Sequence, residues 1–287
     1  MSPLAATSPS RRRIDLLARI ALFAGLLVAL VPLVLVLLFV IVRGIGALSV
    51  SFFTTDPTGA FFGDQGGIRS AILGTIEIVA LATIIAVPVG IALAVYLNEV
   101  GRRSKLALVV RYFVDVLTGV PSIVFGLFIY IVFVLGNVLG GFAAWKGSLA
   151  LALLMLPVVT RASEVSLAMV PDGLREAALA LGAPRWRVIS MVVLPKAVPG
   201  LLTGALLAIA RASGETAPLL FTVLGAQATT FSLGAQMNSL PLQIFSDVRQ
   251  PNPELVTRAW GAALTLITII LLVNLAARLA ARRSGLR

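Results

Sequence analysis

The sequence contains no cysteine and no histidine. The first absence excludes disulfides and thiolate metal sites. The second removes the commonest general base and metal ligand. Charge is scarce too, with Asp, Glu, Lys and Arg making up 12% of the 287 residues. No GxxxxGK[ST] run occurs, so the chain lacks the phosphate-cradling loop of nucleotide hydrolases and is not expected to hydrolyse ATP itself. Nothing pairs a nucleophile with a base, which argues against an intramembrane hydrolase.

What is present is apolar. Hydrophobic residues reach 59% and mean hydropathy is +1.03. A soluble domain of this size could not bury that surface, so the composition points to lipid as the solvent. Six segments are long enough to span a bilayer, near 20–42, 70–97, 107–134, 148–169, 198–224 and 259–277. The first outruns the core of a secretory signal and lacks a small-residue cleavage site after it, so it reads as a retained anchor. The expected architecture is an all-α membrane protein of six transmembrane helices. It comprises a cytoplasmic tail over 1–19 whose first ten residues read as disordered, a permease-like bundle over 20–280, and a second tail over 281–287.

Net charge is +11, from 23 basic and 12 acidic residues. The basic residues punctuate the apolar segments instead of forming one patch, so nucleic acid is not an expected partner. With both termini inside, sixteen lie on the cytoplasmic side (among them Arg11, Arg19, Arg102, Arg111, Arg175 and Arg278) and five outside: Arg43, Arg69, Lys146, Arg249 and Arg258. That asymmetry follows the positive-inside rule. Outer loops 44–69 and 225–258 are polar and turn-rich; Leu240, Leu242, Ile244 and Phe245 in the second imply that it packs on something.

Six ionisable residues fall within spans: Glu77, Asp115, Arg161, Glu164, Arg211 and Glu215. Such groups usually face a bundle interior or a pathway. Arg161 and Glu164 are spaced i, i+3 and Arg211 and Glu215 i, i+4, so each pair can share a helix face. The pairs fit two roles, mutual neutralisation that fixes packing or an anion path. A planar arginine fork suits a tetrahedral oxyanion. In LTGVPSIVFG (117–126), Gly119 and Pro121 predict a kinked or broken helix. Thr118 and Ser122 there could line a cavity, or the break could be a packing kink.

The loop PDGLREAALALGAPRWRVISMVVLPKA (171–197) reads as two short cytoplasmic helices. Asp172 suits a helix start, Leu174, Ala177, Ala178 and Leu181 form one apolar stripe, and Gly182 stops the first helix. Pro184 opens the second and Pro195 is expected to end it. Its small, Ala-rich face, flanked by Arg175, Glu176 and Arg185, fits docking into a partner's groove. An amphipathic connector lying on the membrane fits the spacing as well.

Glu176-Ala177-Ala178, three residues, Gly182, nine residues, Val192, one residue and Leu194-Pro195 resemble the EAA motif of bacterial ABC importer permeases, Val192 for Ile being the one departure. The resemblance implies a type I importer bundle. It also implies a coupling helix seated in a cytoplasmic ATPase, with Glu176, Ala177, Ala178, Gly182, Leu194 and Pro195 in that role. GVPSIVFGLF (119–128), LLMLPVVTRASEVSL (153–167), ARASGETAPLLFT (210–222) and NSLPLQIF (238–245) resemble the phosphate-importer permeases of that family. By resemblance, Arg161, Glu164 and Arg211 lie in the substrate path, with Glu215 part of the same phrase. The resemblance further implies a sister permease as heterodimer partner, two copies of an ATPase that binds ATP and Mg, and an extracytoplasmic phosphate-binding protein. It places the chain in the bacterial cytoplasmic membrane, with no cofactor of its own. A permease for sulfate or molybdate, or a secondary transporter or channel, remains an alternative on the residues alone.

Overall fold

A computed structural model describes residues 9–60, 63–102 and 104–283. Residues 1–8 and 284–287 of the expected tails, and the cytoplasmic Arg103, lie outside these. Twelve helices carry the fold, and no strand occurs among the described residues. Lipid offers the backbone no hydrogen-bond partner, so a spanning segment must satisfy its own amides, and a helix does so within one segment.

Helix α1 (Pro9–Gly44) begins inside the segment expected to be a tail. A short α2 (Val50–Thr54) follows, capped by Ser49, whose hydroxyl accepts from the Phe52 amide. Then come α3 (Arg69–Val95), extended by a π-helical turn at Tyr96–Val100, α4 (Lys105–Gly119) and α5 (Ser122–Ile129). Helix α6 (Ala144–Ala168) leads to α7 (Asp172–Ala180) and α8 (Arg185–Val188). The chain continues through α9 (Leu194–Ser213), α10 (Ala217–Thr222), α11 (Leu240–Val248) and α12 (Pro253–Arg283). Five helical stretches are long and apolar enough to cross a membrane, and a sixth crossing is the bent pair α4–α5.

The third span breaks at Val120–Pro121 and turns through 104°, the broken form of the kink or break expected there. Two other expectations shift. The fifth span ends at Ser213, because Gly214 and Pro218, which has no amide to donate, interrupt it, and α10 restarts at Ala217. Pro195 does not end a helix. A π-helical turn at Ile189–Val193 joins α8 to α9, and Pro195 sits in the first turn of α9. In that first turn a missing amide donor breaks no hydrogen bond of the α-helical ladder that follows.

Helices α3, α6 and α9 form the centre. Ile78, Ala82 and Ala86 meet Leu151, Met155 and Val159, with Ala208 and Ala212 closing the third side. Because lipid is as apolar as leucine, such contacts depend on close packing. Gly200 and Gly204 let α9 lie directly on Ser166 and Ala162 of α6. Helix α1 is peripheral and packs along α12, with Phe39 edge-on to Trp260 at 5.1 Å.

The long loop 225–258 does pack. Leu240 is fully buried with Phe52, Ile68, Ala71 and Ala262. Beneath it runs a buried polar chain. Asn238 donates to Gln243 (2.7 Å), Gln243 to Asp247 (2.8 Å), and Arg258 grips both Asp247 oxygens at 2.8 Å. Asp56 holds the same loop, accepting from Thr229 Oγ1 (2.6 Å) and Thr229 N (2.8 Å). Burial pushes the Asp56 carboxyl up, but those hydrogen bonds and nearby Arg69 together hold it below its ordinary value.

Candidate functional site

Helices α4 and α6 bring four charges together. Arg161 Nη1 donates to Glu164 Oε2 at 2.6 Å, within one turn of α6. Its Nη2 reaches across to the Asp115 carboxylate of α4. The other Glu164 oxygen accepts from Arg111 Nε at 3.0 Å. Two guanidinium groups and two carboxylates thus alternate in one neutral chain. The Glu164 side chain is 9% exposed, whereas Arg161 is 36% and Asp115 60% exposed, so one edge of the cluster opens to the surface of this chain.

Arg111 was expected on the cytoplasmic side and belongs instead to this cluster. The signal that could have placed it is its i, i+4 spacing to Asp115 on an otherwise apolar helix. The structure unites Arg161, Glu164 and Asp115 across elements, so the pair expected within one helix also pairs with its neighbour α4.

Arg211 and Glu215 stand apart from the cluster. Arg211 occupies the last turn of α9, while Glu215 lies beyond the helix end, in the break before α10. They still face each other, but at 3.8 Å, outside hydrogen-bond length, and Arg211 is 50% exposed. Gly204 touches Ala162 beside Arg161, and Arg211 lies two turns further along α9. At a rise of 1.5 Å per residue, the two arginine sites are therefore about 10 Å apart along the bundle.

Thr118 turns its hydroxyl back onto its own helix, donating to Val114 O at 2.9 Å, so it offers only acceptor capacity to a passing ligand. Ser122 is half-buried at the start of α5, directly after the corner. Glu77 is half-buried in α3 and joins neither group. Lys146, expected in the outer set, is fully buried; its ammonium donates to the carbonyls of Phe133 (2.9 Å), Gly141 (2.6 Å) and Gly140, closing the loop before α6.

The loop 171–197 has two faces. Glu176, Ala177, Leu181 and Gly182 are exposed, and Gly182 adopts the positive φ of +80° that ends α7. Ala178 and Leu194 instead pack half-buried against Leu167, Val170 and Val193, so those two motif positions hold the loop together. Pro195 is exposed. Arg175 was expected to flank the exposed face. It points inward, donating to Glu99 at 2.8 and 3.2 Å and to the carbonyls of Leu167 (2.9 Å) and Val170 (2.5 Å) at the end of α6. The hydrogen bonds to Glu99, against the opposing effect of burial, hold its guanidinium above its ordinary value.

The family model described as binding-protein-dependent transport system inner membrane component matches residues 86–285. The phosphate transport system permease protein PstA of Yersinia pestis is 42% identical, the alignment covering 93% of this chain and 90% of that protein. PstA 1 of Mycobacterium tuberculosis (strain ATCC 25618 / H37Rv) is 44% identical over 93% of this chain and 87% of that protein. Among solved structures, a chain of the inward-facing MetNI methionine ABC transporter shares the fold, with a TM-score of 0.60 and 22% identity over 76% of this chain and 94% of that one. The broken third span, the charged cluster beside it and the exposed EAA-like helix thus sit on an importer-permease fold, and the chain belongs to the family of binding-protein-dependent transport system inner membrane components.

Proposed function

We propose that this chain is a permease subunit of an ATP-driven importer that carries inorganic phosphate across the bacterial cytoplasmic membrane. Both termini face the cytoplasm, and residues 20–280 form the membrane domain. The observation that carries the reading is the pair of arginine sites, each beside a carboxylate and each partly open, on helices that are otherwise apolar. Charge at the centre of a span costs about 2.5–3.5 kcal/mol per residue on insertion scales. A fold that keeps Arg111, Arg161 and Arg211 is using them, and a tetrahedral oxyanion is the ligand that matches their forks. Arg161, Glu164, Arg211 and Glu215 line the path, with Thr118 and Ser122 at the corner of α4 and α5.

Half-exposed charges on an apolar surface also need a protein or water neighbour in place of lipid, which a sister permease in a heterodimer supplies. Energy comes from two copies of an ATPase that hold ATP and Mg; this chain itself is not the hydrolase. Helix α7 docks on that ATPase through Glu176, Ala177 and Gly182, and an extracytoplasmic binding protein delivers phosphate. The test is the ATPase activity of the co-expressed complex with loaded binding protein. Stimulation with phosphate but not sulfate is expected. Equal stimulation by sulfate would make it a permease for another oxyanion, and gradient-driven uptake by this chain alone would refute the importer reading.

A further inference from the structure

We propose that the π-helical turn Tyr96–Val100 is the part that links α7 to the charged cluster, with Asn98 and Glu99 as positioning residues. The inference rests on the coupling role given to α7 above.

Three consecutive residues of this turn each make one tie, and each tie runs to a different element. The Leu97 carbonyl accepts from Arg111 Nη2 at 3.0 Å, and its side chain is fully buried. Asn98 Nδ2 donates to the backbone carbonyl of Glu164 at 2.8 Å. The Glu99 carboxylate takes both ends of the Arg175 fork, as described, and its side chain is 9% exposed. Arg175 is part of α7. Arg111 and Glu164 belong to the cluster on α4 and α6. One five-residue turn therefore touches the cytoplasmic helix on one side and two members of the intramembrane chain on the other.

The geometry leaves α7 little freedom to move alone. A shift of α7 pulls Arg175, and Arg175 is bidentate on Glu99, a fork-to-fork arrangement that resists both stretch and rotation. Glu99 follows directly on Asn98, whose amide fixes the backbone where Glu164 projects its carboxylate between Arg111 and Arg161. The turn also has the right mechanics. A π-helical turn carries one residue more than an α-turn, with poorer hydrogen bonding, and such turns concentrate at functional sites. It can slip in register at the end of α3 while the rest of the helix stays packed. The turn closes on Gly101, whose amide donates to Tyr96 O at 2.7 Å, and an added Cβ there would fall 2.7 Å from the Tyr96 ring.

A staple that merely holds the bundle together would use the same bonds, so the test must separate the two roles. The complete complex is reconstituted with Asn98→Ala, Glu99→Gln and the double variant, and phosphate translocated per ATP hydrolysed is measured. Glu99→Gln weakens the tie to α7, and Asn98→Ala removes the tie to Glu164 while Leu97 O still holds Arg111. Each should lower the ratio by about tenfold, within the 5- to 150-fold span usual for coupling between two sites. The double variant should be no worse than the weaker single, because a chain cut twice transmits no less than a chain cut once. Glu99→Asp, which keeps the carboxylate, should recover part of the ratio. Additive losses, an unchanged ratio, or a loss that only tracks reduced yield of assembled complex would each overturn the link. Glu176→Arg, on the outward face of α7, probes docking separately. If it leaves coupling untouched, α7 is not the docking helix and both readings fall. If it uncouples while the Asn98 and Glu99 variants do not, only the link falls.

Discussion

Arg211 and Arg161 should respond differently to replacement by alanine, and the structure says by how much. Arg211 has one charged neighbour, Glu215, at 3.8 Å, and half its side chain is exposed. Exposed pairs of this kind contribute about 0–1 kcal/mol to stability. Arg211→Ala should therefore leave the complex folded, its melting temperature lower by under about 4 °C. Transport is another matter. A hydrogen bond to a charged group contributes about 1.5–3 kcal/mol, so loss of that contact to passing phosphate should slow uptake about 10- to 100-fold. Arg161 holds the buried Glu164 at 2.6 Å and also Asp115. Breaking a buried pair by removing one partner costs about 3–5 kcal/mol. Arg111 remains on the other Glu164 oxygen and Arg161 is itself one-third exposed, so a cost of about 2–3 kcal/mol is expected. Arg161→Ala should thus lower melting by about 4–12 °C and reduce transport. The assay pairs thermal melting of the purified complex with phosphate uptake in proteoliposomes. If Arg211→Ala melts as early as Arg161→Ala, its charge serves packing and the path argument fails there. Normal uptake by Arg211→Ala refutes it outright. An Arg161→Ala complex as stable as the unaltered one refutes the claim that Glu164 depends on it. Arg211→Lys keeps the charge but loses the fork, and uptake between the two extremes is expected.

In the 225–258 loop, Asp247→Ala strands the buried Arg258 and the Gln243 amide, and should cost about 3–5 kcal/mol; limited proteolysis of the 225–250 segment should report the loosening, and an unchanged digestion rate would contradict it. Asp56 has a lowered carboxyl pKa, so its stabilising contact with Thr229 is present at neutral pH and fades as the pH falls through that lowered value. Asp56→Asn should therefore melt lower than the unaltered chain at pH 7, by the equivalent of about 1 kcal/mol, and the gap should close in acid; a gap independent of pH would show that the charge is irrelevant. Gly204→Val places a branched side chain against Ala162, an overpacking that should cost about 1–3 kcal/mol and separate α6 from α9. Intact melting and uptake in that variant would show that the close approach is dispensable.

Much of this architecture could be read in advance, for identifiable reasons. Apolar runs longer than a bilayer force helices whatever the packing. Gly182 and the Ala-rich stripe mark the end and the small face of α7 from local chemistry alone. The misses share a different cause. Arg111 was grouped by its side of the membrane, although its partner Glu164 lies 53 positions away; Glu99 and Arg175 are separated by 76. Periodicity carries no information about such pairs. Lys146 was grouped with the outer basic residues by its place between spans, and only the folded loop shows three carbonyls turned onto its ammonium. The glycine pair at 200 and 204 was a legible signal for the α6–α9 contact, written in the spacing itself.

In the phosphate path proposed above, the pairing of every arginine with a carboxylate would have an electrostatic logic. In a low-dielectric interior two bare guanidinium groups would hold an oxyanion far more tightly than they do in water. Conduction needs binding strong enough to admit the ion and weak enough to release it. Glu164 and Asp115 occupy the arginine forks with oxygens of the same kind that phosphate presents, so the incoming anion exchanges one set of charge-assisted hydrogen bonds for another. The resting cluster, with two positive and two negative groups, avoids an uncompensated charge when the path is empty. Glu215, held off at 3.8 Å, competes least. Arg211, being the more exposed and the less engaged of the two sites, is then the one an arriving anion meets with its fork free, and the inner cluster is the one it must open.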